Sequence, residues 1–161
     1  MIIARTRDDL NQTLQKLTQK PGKLALIPTM GNLHDGHLSL VRLAKLNAKK
    51  TITTIFVNPL QFGKNEDFEK YPRSEEMDIN KLSKEKCDIL FIPVNRNEVF
   101  PKFEEVKKIE SGKLGNELCG KIRPGHFDGV LTVVNKIFEM VKPDIAIFGA
   151  KDYQQQILIS K

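Results

Sequence analysis

The chain alternates short apolar runs with longer stretches in which apolar residues recur every three or four positions. The short runs, several of them rich in β-branched residues, are typical of buried strands. They predict strands over residues 1–4, 24–27, 51–57, 88–92 and 144–148, with an excursion strand over 103–109.

The spacing of three or four predicts helices between these strands. Thr6 and Asp9 have the spacing of a capping box that opens the first helix, and Lys20-Pro21-Gly22 ends it. The other helices are expected over 37–50, from Ser74 onward, over 130–141 and after Asp152.

Strands that alternate with helices in this way predict an α/β fold, a parallel sheet with helices on both faces. Segments 65–73 and 112–129 are expected to be loops. A length of 161 residues suits one domain. Because the chain stops one or two turns into the last predicted helix, without a closing signal, we expect it to be truncated at its C-terminus.

The net charge of +6 comes mainly from scattered lysines, which favours a solvated surface. A basic nucleic-acid-binding module is an alternative from another class, but the chain has no recognisable reader motif for it. The N-terminus turns charged at Arg5, Arg7, Asp8 and Asp9, too early for the apolar region of a signal peptide, and no later apolar run approaches the length of a membrane span. We therefore expect a cytoplasmic protein with Cys87 and Cys119 reduced.

The clearest candidate for chemistry is His34-x-Gly36-His37, where an apolar run gives way to the start of a helix. Backbone N–H groups and the helix dipole favour an anion such as phosphate there, and two imidazoles can add hydrogen bonds to it. Helical spacing places His37 on the inward face with Val41 and Ala44. A zinc site is disfavoured because no third ligand cluster is evident.

Polar groups also follow two other predicted strands. Ligands in open α/β sheets bind beyond the carboxyl ends of the strands, so these groups are expected to converge with the histidines. Taken singly, Lys151 and Asp152 are better explained as a surface lysine and a helix N-cap, and each amide as an ordinary turn or surface residue. Arg123 in its Gly/Pro loop can equally bind a carboxylate or face solvent. The candidates are Asn58, Gln61, Lys151, Asp152, Gln155 and Arg123.

Five motifs occur in order along nearly the whole chain. They are Pro28-Thr29-Met30-Gly31-x-Leu33-His34-x-Gly36-His37, Phe56-Val57-Asn58-Pro59-x-Gln61-Phe62, Tyr71-Pro72-Arg73, Arg123-Pro124-Gly125-His126-Phe127-x-Gly129-Val130 and Phe148-Gly149-x-Lys151-Asp152-Tyr153-Gln154-Gln155. Together they closely resemble the pantothenate synthetase (pantoate–β-alanine ligase) family. The resemblance implies the Rossmann-like sheet of adenylate-forming and nucleotidyl-transfer enzymes that carry His-x-Gly-His.

The resemblance implies catalytic roles at the ATP phosphates for His34, His37 and Lys151, with His37 as the acid or electrophile. Position 150 is Ala where the family commonly has Glu. The expected ATP-binding residues are Met30, Gly31, Asn32, Leu33, His34, Asp35, Gly36, His37, Gly149, Ala150, Lys151 and Asp152.

The resemblance also implies a site for pantoate and β-alanine formed by Gln61, Gln155, Asn58 and Arg123. Mg²⁺ is expected to be held mainly by the phosphates of ATP, with no metal site of the protein's own. The implied partners are these small molecules and a second copy in a homodimer, with neither nucleic acid nor membrane. The family's second ATP motif and its C-terminal lid domain are expected beyond Lys161.

The implied reaction is the ATP-dependent condensation of (R)-pantoate with β-alanine through a pantoyl adenylate. The nearest rival is a cytidylyl- or adenylyltransferase that acts on a phosphorylated substrate, because such enzymes share His-x-Gly-His. A third interpretation is a binding-competent but inactive N-terminal piece.

Overall fold

Five strands and their connecting helices make up the computed structural model, which describes residues 1–18, 22–63 and 66–160. The strands are β1 (Ile2–Ala4), β2 (Leu24–Thr29), β3 (Lys50–Ile55), β4 (Ile89–Phe91) and β5 (Ile145–Ala146). The α-helices are α1 (Arg7–Thr18), α2 (Asp35–Asn47), α3 (Glu75–Lys84), α4 (Gly112–Gly115), α5 (Cys119–Ile122), α6 (His126–Val141) and α7 (Tyr153–Ile159). Short 3-10 helices occupy Pro59–Gln61, Arg96–Glu98 and Phe103–Glu105.

The sheet has the order β1-β4-β3-β2-β5, and every neighbouring pair is parallel. Strand β2 pairs along its whole length with β3 and through Ala25 and Leu26 with β5. The next strand in the chain, β3, therefore lies on one side of β2, and the last strand, β5, lies on the other side. This reversal opens a crevice beyond the carboxyl end of β2, where ligands of such sheets bind.

Two apolar layers cover the sheet, because successive residues of a strand face opposite sides. On one side Leu24 and Leu26 pack with Leu10 of α1 and Val133 of α6. On the other side Ala25 and Ile27 pack with residues of α2 and α3, namely Leu38, Val41, Ala44 and Leu82. The predicted parallel sheet with helices on both faces is confirmed.

The predicted capping box at α1 is also confirmed. Asp9 donates its backbone N–H to the Thr6 hydroxyl at 3.1 Å, and Thr6 donates its own to the Asp9 carboxylate at 2.9 Å. Lys20 and Pro21 of the predicted closing signal lie outside the described residues, as does Asn65 at the start of the predicted 65–73 loop.

The predicted strand over 103–109 is wrong, because Phe103–Glu105 forms a 3-10 turn and no strand follows it before α4. Phe103 and Val106 pack against the core, and this spacing of three belongs to a turn. The side chains of Glu104, Lys107 and Lys108 are exposed.

Two helix boundaries also differ from prediction. Helix α2 begins at Asp35, not at His37, and ends at Asn47, because Ala48 is extended and Lys50 already belongs to β3. The expected loop over 112–129 contains α4, α5 and the first turn of α6.

Within residues 1–18, 22–63 and 66–160, no helix combines the length and the apolar character that a membrane span requires.

Candidate functional site

The histidine pair sits at the start of α2, directly after the turn that follows β2. His34 is the N-cap residue, and its Nδ1 accepts the backbone N–H of Gly36 at 3.1 Å. The Nδ1 of His37 in turn accepts the backbone N–H of His34 at 3.4 Å. The two imidazoles thus form a reciprocal capping box, with His37 where a glutamate or glutamine is usual.

These contacts fix which ring nitrogens carry protons. A nitrogen that accepts an N–H hydrogen bond has no proton of its own, so each neutral ring of His34 and His37 is protonated at Nε2. The ring centroids lie 4.2 Å apart. The helix start therefore offers two adjacent Nε2–H donors, an arrangement suited to an anionic ligand.

His37 lies at the edge of the buried face of α2, which consists of Leu38, Val41 and Ala44, and is itself half-buried. Burial lowers the pKa of His37 and the neighbouring His34 lowers it further, while Asp78 and Asp152 act in the opposite direction. The lowered pKa favours the neutral imidazole, whose Nε2–H can donate a hydrogen bond.

The turn between β2 and α2 is held by Asp78, a buried residue of α3 that the sequence analysis missed. Its carboxylate accepts the backbone N–H groups of Asn32 and Leu33, each at 2.8 Å. The signal in the sequence was an acidic residue on the same helix face as the core residue Leu82, four positions later.

Not every residue of the predicted ATP-binding turn is available to a ligand. Leu33 has 2% of its surface exposed and belongs to the core. Its N–H is bound by Asp78 and its carbonyl oxygen by Lys81. Leu33 therefore shapes the turn from within, whereas Asn32, His34, Asp35 and Gly36 are exposed.

Gln61 links the ends of β2 and β3. Its side-chain amide donates to the sulfur of Met30 at 3.0 Å, which joins two of the three segments that were expected to converge. Asn58 lies behind it with no exposed surface and donates to the Gln61 side-chain oxygen at 3.1 Å and to the Gly129 carbonyl at 3.0 Å. Asn58 therefore supports Gln61 and does not present its own amide to a ligand.

A series of hydrogen bonds leads from the Gln61 backbone through His126 and Arg123 to Glu66. The Nδ1 of His126 donates to the Gln61 carbonyl oxygen at 2.9 Å, so its Nε2 accepts from Arg123 at 3.0 Å. Arg123 also holds both carboxylate oxygens of Glu66, which lowers the pKa of Glu66 to about 2. The predicted carboxylate-binding Arg123 thus already has an internal carboxylate partner, and sequence reasoning had no signal for Glu66.

The third predicted segment follows β5. Gly149, Ala150, Lys151 and Asp152 are exposed and Gln155 is half-buried at the start of α7. Because β5 pairs with β2 in parallel, this segment leaves the sheet at the same edge as the turn after β2. The three strand ends therefore lie along one edge of the sheet.

Gln154, which was not among the predicted site residues, anchors this last segment. Its side-chain amide donates to the carbonyl oxygens of Leu114 and Glu117, both at 2.8 Å, and its side-chain oxygen accepts from Cys119 at 3.2 Å. It ties the start of α7 to α4 and α5.

A cavity of about 360 Å³ lies behind the turn, between the end of β3 and the start of α3. Met30, Gly31, Val57, Ser74 and Asp78 contribute to its lining, but neither histidine does. The imidazole pair therefore lies outside this cavity, at the start of α2.

The described residues contain no group of three His, Cys, Asp or Glu side chains placed to hold a metal ion. A divalent cation at the crevice would need most of its ligands from a bound molecule or water, as phosphates supply for Mg²⁺.

Comparison with known proteins gives one consistent answer. The family model described as pantoate-beta-alanine ligase matches residues 2–161. The pantothenate synthetase of Neisseria meningitidis serogroup B is 53% identical over 146 residues, which are 91% of this chain and 52% of the relative. That of a Thermoanaerobacter species is 47% identical over 161 residues, all of this chain and 56% of the relative.

A solved structure agrees with these relatives. The pantoate-beta-alanine ligase from Francisella tularensis, complexed with beta-gamma ATP and β-alanine, matches with a TM-score of 0.92 at 40% identity. The match covers 99% of this chain and 60% of that one. The chain thus spans about half the length of the curated relatives it matches.

Proposed function

Because this chain belongs to the pantoate-beta-alanine ligase family, we propose that it serves the ATP-dependent condensation of (R)-pantoate with β-alanine. The products would be pantothenate, AMP and diphosphate. In this proposal residues 1–161 are a Rossmann-like domain that binds ATP and pantoate.

The observation that carries the proposal is the pair of Nε2–H donors at the start of α2, on imidazoles whose Nδ1 atoms are held by backbone N–H groups. A preorganised donor pair of this kind stabilises the charge that develops on phosphate oxygens during phosphoryl or adenylyl transfer. The fixed rings need no reorientation when the charge appears.

The proposed reaction has two steps. A carboxylate oxygen of pantoate attacks the α-phosphorus of ATP, which forms the pantoyl adenylate and releases diphosphate. The amine of β-alanine then attacks the acyl carbon of this mixed anhydride, loses a proton and releases AMP. Neither step needs a covalent bond to the protein, so positioning and charge stabilisation are the protein's contribution.

The phosphate contacts are assigned to His34, His37 and Lys151, with His37 as the acid or electrophile. Lys151 is exposed and makes no ion pair with any described residue, which leaves its ammonium group available to a phosphate. Gly149, Ala150 and Asp152 are assigned to the nucleotide, with Gly149 and Asp152 near the ribose. Met30 to Gly36 complete the ATP-binding turn, with Leu33 inside it.

Gln61 and Gln155 are assigned to pantoate, with β-alanine also near Gln61. Asn58 supports this site through its hydrogen bond to Gln61. Arg123 lines the same corner and would reach a substrate carboxylate only by giving up part of its contact with Glu66.

Further parts of the proposal concern Mg²⁺, the cellular location and the oligomeric state. Mg²⁺ would enter with ATP, held by its phosphates and by water, and would neutralise phosphate charge. The protein would work in the cytoplasm, and it would form the homodimer that the sequence resemblance implies.

The deciding experiment is pantoate-dependent exchange of labelled diphosphate into ATP. We expect the family's full-length form to show exchange with pantoate and ATP, and a loss of about 100-fold or more when His37→Ala removes one preorganised donor. Lys107→Ala, which changes an exposed residue remote in sequence from the three segments, is the control. Exchange that persists in the His37→Ala variant, or that requires CTP or a phosphorylated substrate, would contradict the proposal.

A further inference from the structure

The carboxylate of Asp78 is the most deeply buried charge near the histidine pair, with 1% of the residue exposed. An ionised carboxylate is costly to bury unless hydrogen bonds compensate for the lost water. Here the compensation comes from the backbone N–H groups of Asn32 and Leu33 and from the Ser74 hydroxyl at 3.2 Å.

The turn is shaped to receive this carboxylate. Gly31 and Asn32 have φ angles of 84° and 52°, so two consecutive residues adopt the left-handed region. The N–H groups of Asn32 and Leu33 both donate to the Asp78 carboxylate, so the backbone of this turn binds an internal anion. A side chain on Gly31 would bring its Cβ to 3.2 Å from the Asp78 carboxylate.

Lys81 lies one helical turn after Asp78 on α3 and contacts the same loop. Its ammonium group donates to the Leu33 carbonyl oxygen at 2.5 Å. Helix α3 therefore binds the N–H of Leu33 through Asp78 and the carbonyl of Leu33 through Lys81. Two oppositely charged side chains, three residues apart on α3, therefore fix the peptide groups on both sides of Leu33.

Leu33 is followed directly by the N-cap residue of α2. Any shift of the Leu33–His34 peptide moves the backbone N–H that the His37 ring accepts, and it also moves the His34 ring. We propose that Asp78 and Lys81 are positioning residues that set the geometry of the His34–His37 pair for the nucleotide phosphates. The nucleotide part rests on the proposed function, whereas the geometric part does not.

The charge of Asp78 gives this role an electrostatic signature. The groups that act on His37 are His34 from the same helix end, Asp78 from α3 and Asp152 from the segment after β5. His126 responds to Arg123, Glu66 and Asp152. Loss of the Asp78 charge should therefore lower the pKa of His37 and leave that of His126 unchanged.

The first test compares Asp78→Asn with Glu76→Gln, which removes an exposed carboxylate from the same helix. The chain contains three histidines, so NMR titration can follow each imidazole separately. We expect Asp78→Asn to lower the His37 midpoint without changing that of His126, and to weaken ATP binding in calorimetric titration by roughly 10- to 100-fold, as misplaced groups do. Glu76→Gln should change neither quantity.

The second test does not depend on whether Asp78→Asn folds. Lys81→Met keeps the aliphatic stem but removes the hydrogen bond to Leu33, and Lys84→Met on the exposed side is its control. We expect Lys81→Met to weaken ATP binding by about 10-fold with a native circular dichroism spectrum, and Lys84→Met to bind as wild type does. Wild-type ATP affinity in folded Lys81→Met would overturn the proposal, as would an unchanged His37 midpoint in folded Asp78→Asn.

The two proposals can fail separately. If the wild-type chain binds no ATP, the proposed function fails, while the His37 midpoint and the His34–His37 ring contacts in NMR still test the role of Asp78. If ATP binds and His37→Ala weakens it, but neither α3 variant has any effect, the proposed function stands and the positioning role is refuted.

Discussion

Asn58 donates a hydrogen bond of 3.1 Å to the side-chain oxygen of Gln61, although Asn58 itself has no exposed surface. Its other amide proton goes to the Gly129 carbonyl at 3.0 Å, and its oxygen accepts the Leu60 N–H at 3.2 Å. A buried amide with all its groups engaged holds its neighbours in one arrangement. The position of Gln61 is therefore set by a fully buried neighbour.

We predict that Asn58→Ala destabilises the protein by about 1–3 kcal/mol, because it leaves the Gly129 carbonyl and the Leu60 N–H without their side-chain partner. The free energy of unfolding in urea measures this. Asn80→Ala, at an exposed position of α3, should stay within about 0.5 kcal/mol of wild type. Equal stability of the two variants would show that the Asn58 contacts contribute nothing.

Gly129 should tolerate no side chain. A Cβ at this position would lie 2.2 Å from the backbone oxygen of Leu60, so α6 and the Pro59–Gln61 turn must separate to accommodate it. We predict that Gly129→Ala costs about 3 kcal/mol, the upper end of ordinary overpacking, and lowers pantoate affinity through Gln61.

Gly63→Ala is the matched control for that change, because a Cβ there meets only a Glu66 side-chain carbon at 4.0 Å. It should unfold at nearly the wild-type urea concentration. A Gly129→Ala protein as stable as this control would mean that α6 and the turn are not in rigid contact.

Much of this fold follows from local pattern alone. The apolar runs at β2 and β3 and the stripe of α6 predict their own burial, since periodicity reports which side of an element meets the core. The polar residues at the strand ends predict the crevice, because the carboxyl ends of parallel strands share one edge.

The contacts that organise the site are not local, and the sequence alone did not reveal them. Asp78 binds the N–H of a residue 45 positions away, and Arg123 pairs with Glu66 across 57 positions. Each looks like an ordinary charged residue of a helix or loop. The partner of such a charge becomes visible only when packing brings two distant segments together.

Stability should depend on Glu66 at acid pH. Arg123 lowers the pKa of Glu66 to about 2 from about 4.5, so the folded state binds this proton less readily than the unfolded chain does. The ion pair therefore stabilises fully above pH 4.5, and its contribution disappears as the pH falls toward 2. Because both side chains are about a third exposed, we expect at most about 1 kcal/mol.

Urea unfolding of wild type and Glu66→Gln between pH 6 and pH 2.5 measures this contribution. The difference in stability between the two proteins should be largest above pH 4.5 and shrink below it. Glu110→Gln, at an exposed carboxylate, should differ from wild type by the same small amount throughout. A difference for Glu66→Gln that is constant with pH would exclude the ion pair as its source.

His126 should give a separate pH dependence closer to neutrality. Its Nδ1 donates to Gln61 and its Nε2 accepts from Arg123, so a second proton would have to break the Arg123 contact. Burial lowers the pKa of His126 below its ordinary value near 6.5. The unfolded chain then binds this proton more readily, and stability must fall as the pH drops through and below 6.5.

His126→Asn removes this titration while keeping an amide that can donate to the Gln61 carbonyl. We predict that wild type loses stability relative to His126→Asn between pH 7.5 and pH 5, in a range that lies above the Glu66 transition. The pKa of His37 is also lowered. Because His37 is present in both proteins, its contribution to the pH dependence of stability cancels in the comparison. Parallel stability curves over this range would show that His126 accepts its second proton as easily in the folded protein as in the unfolded chain.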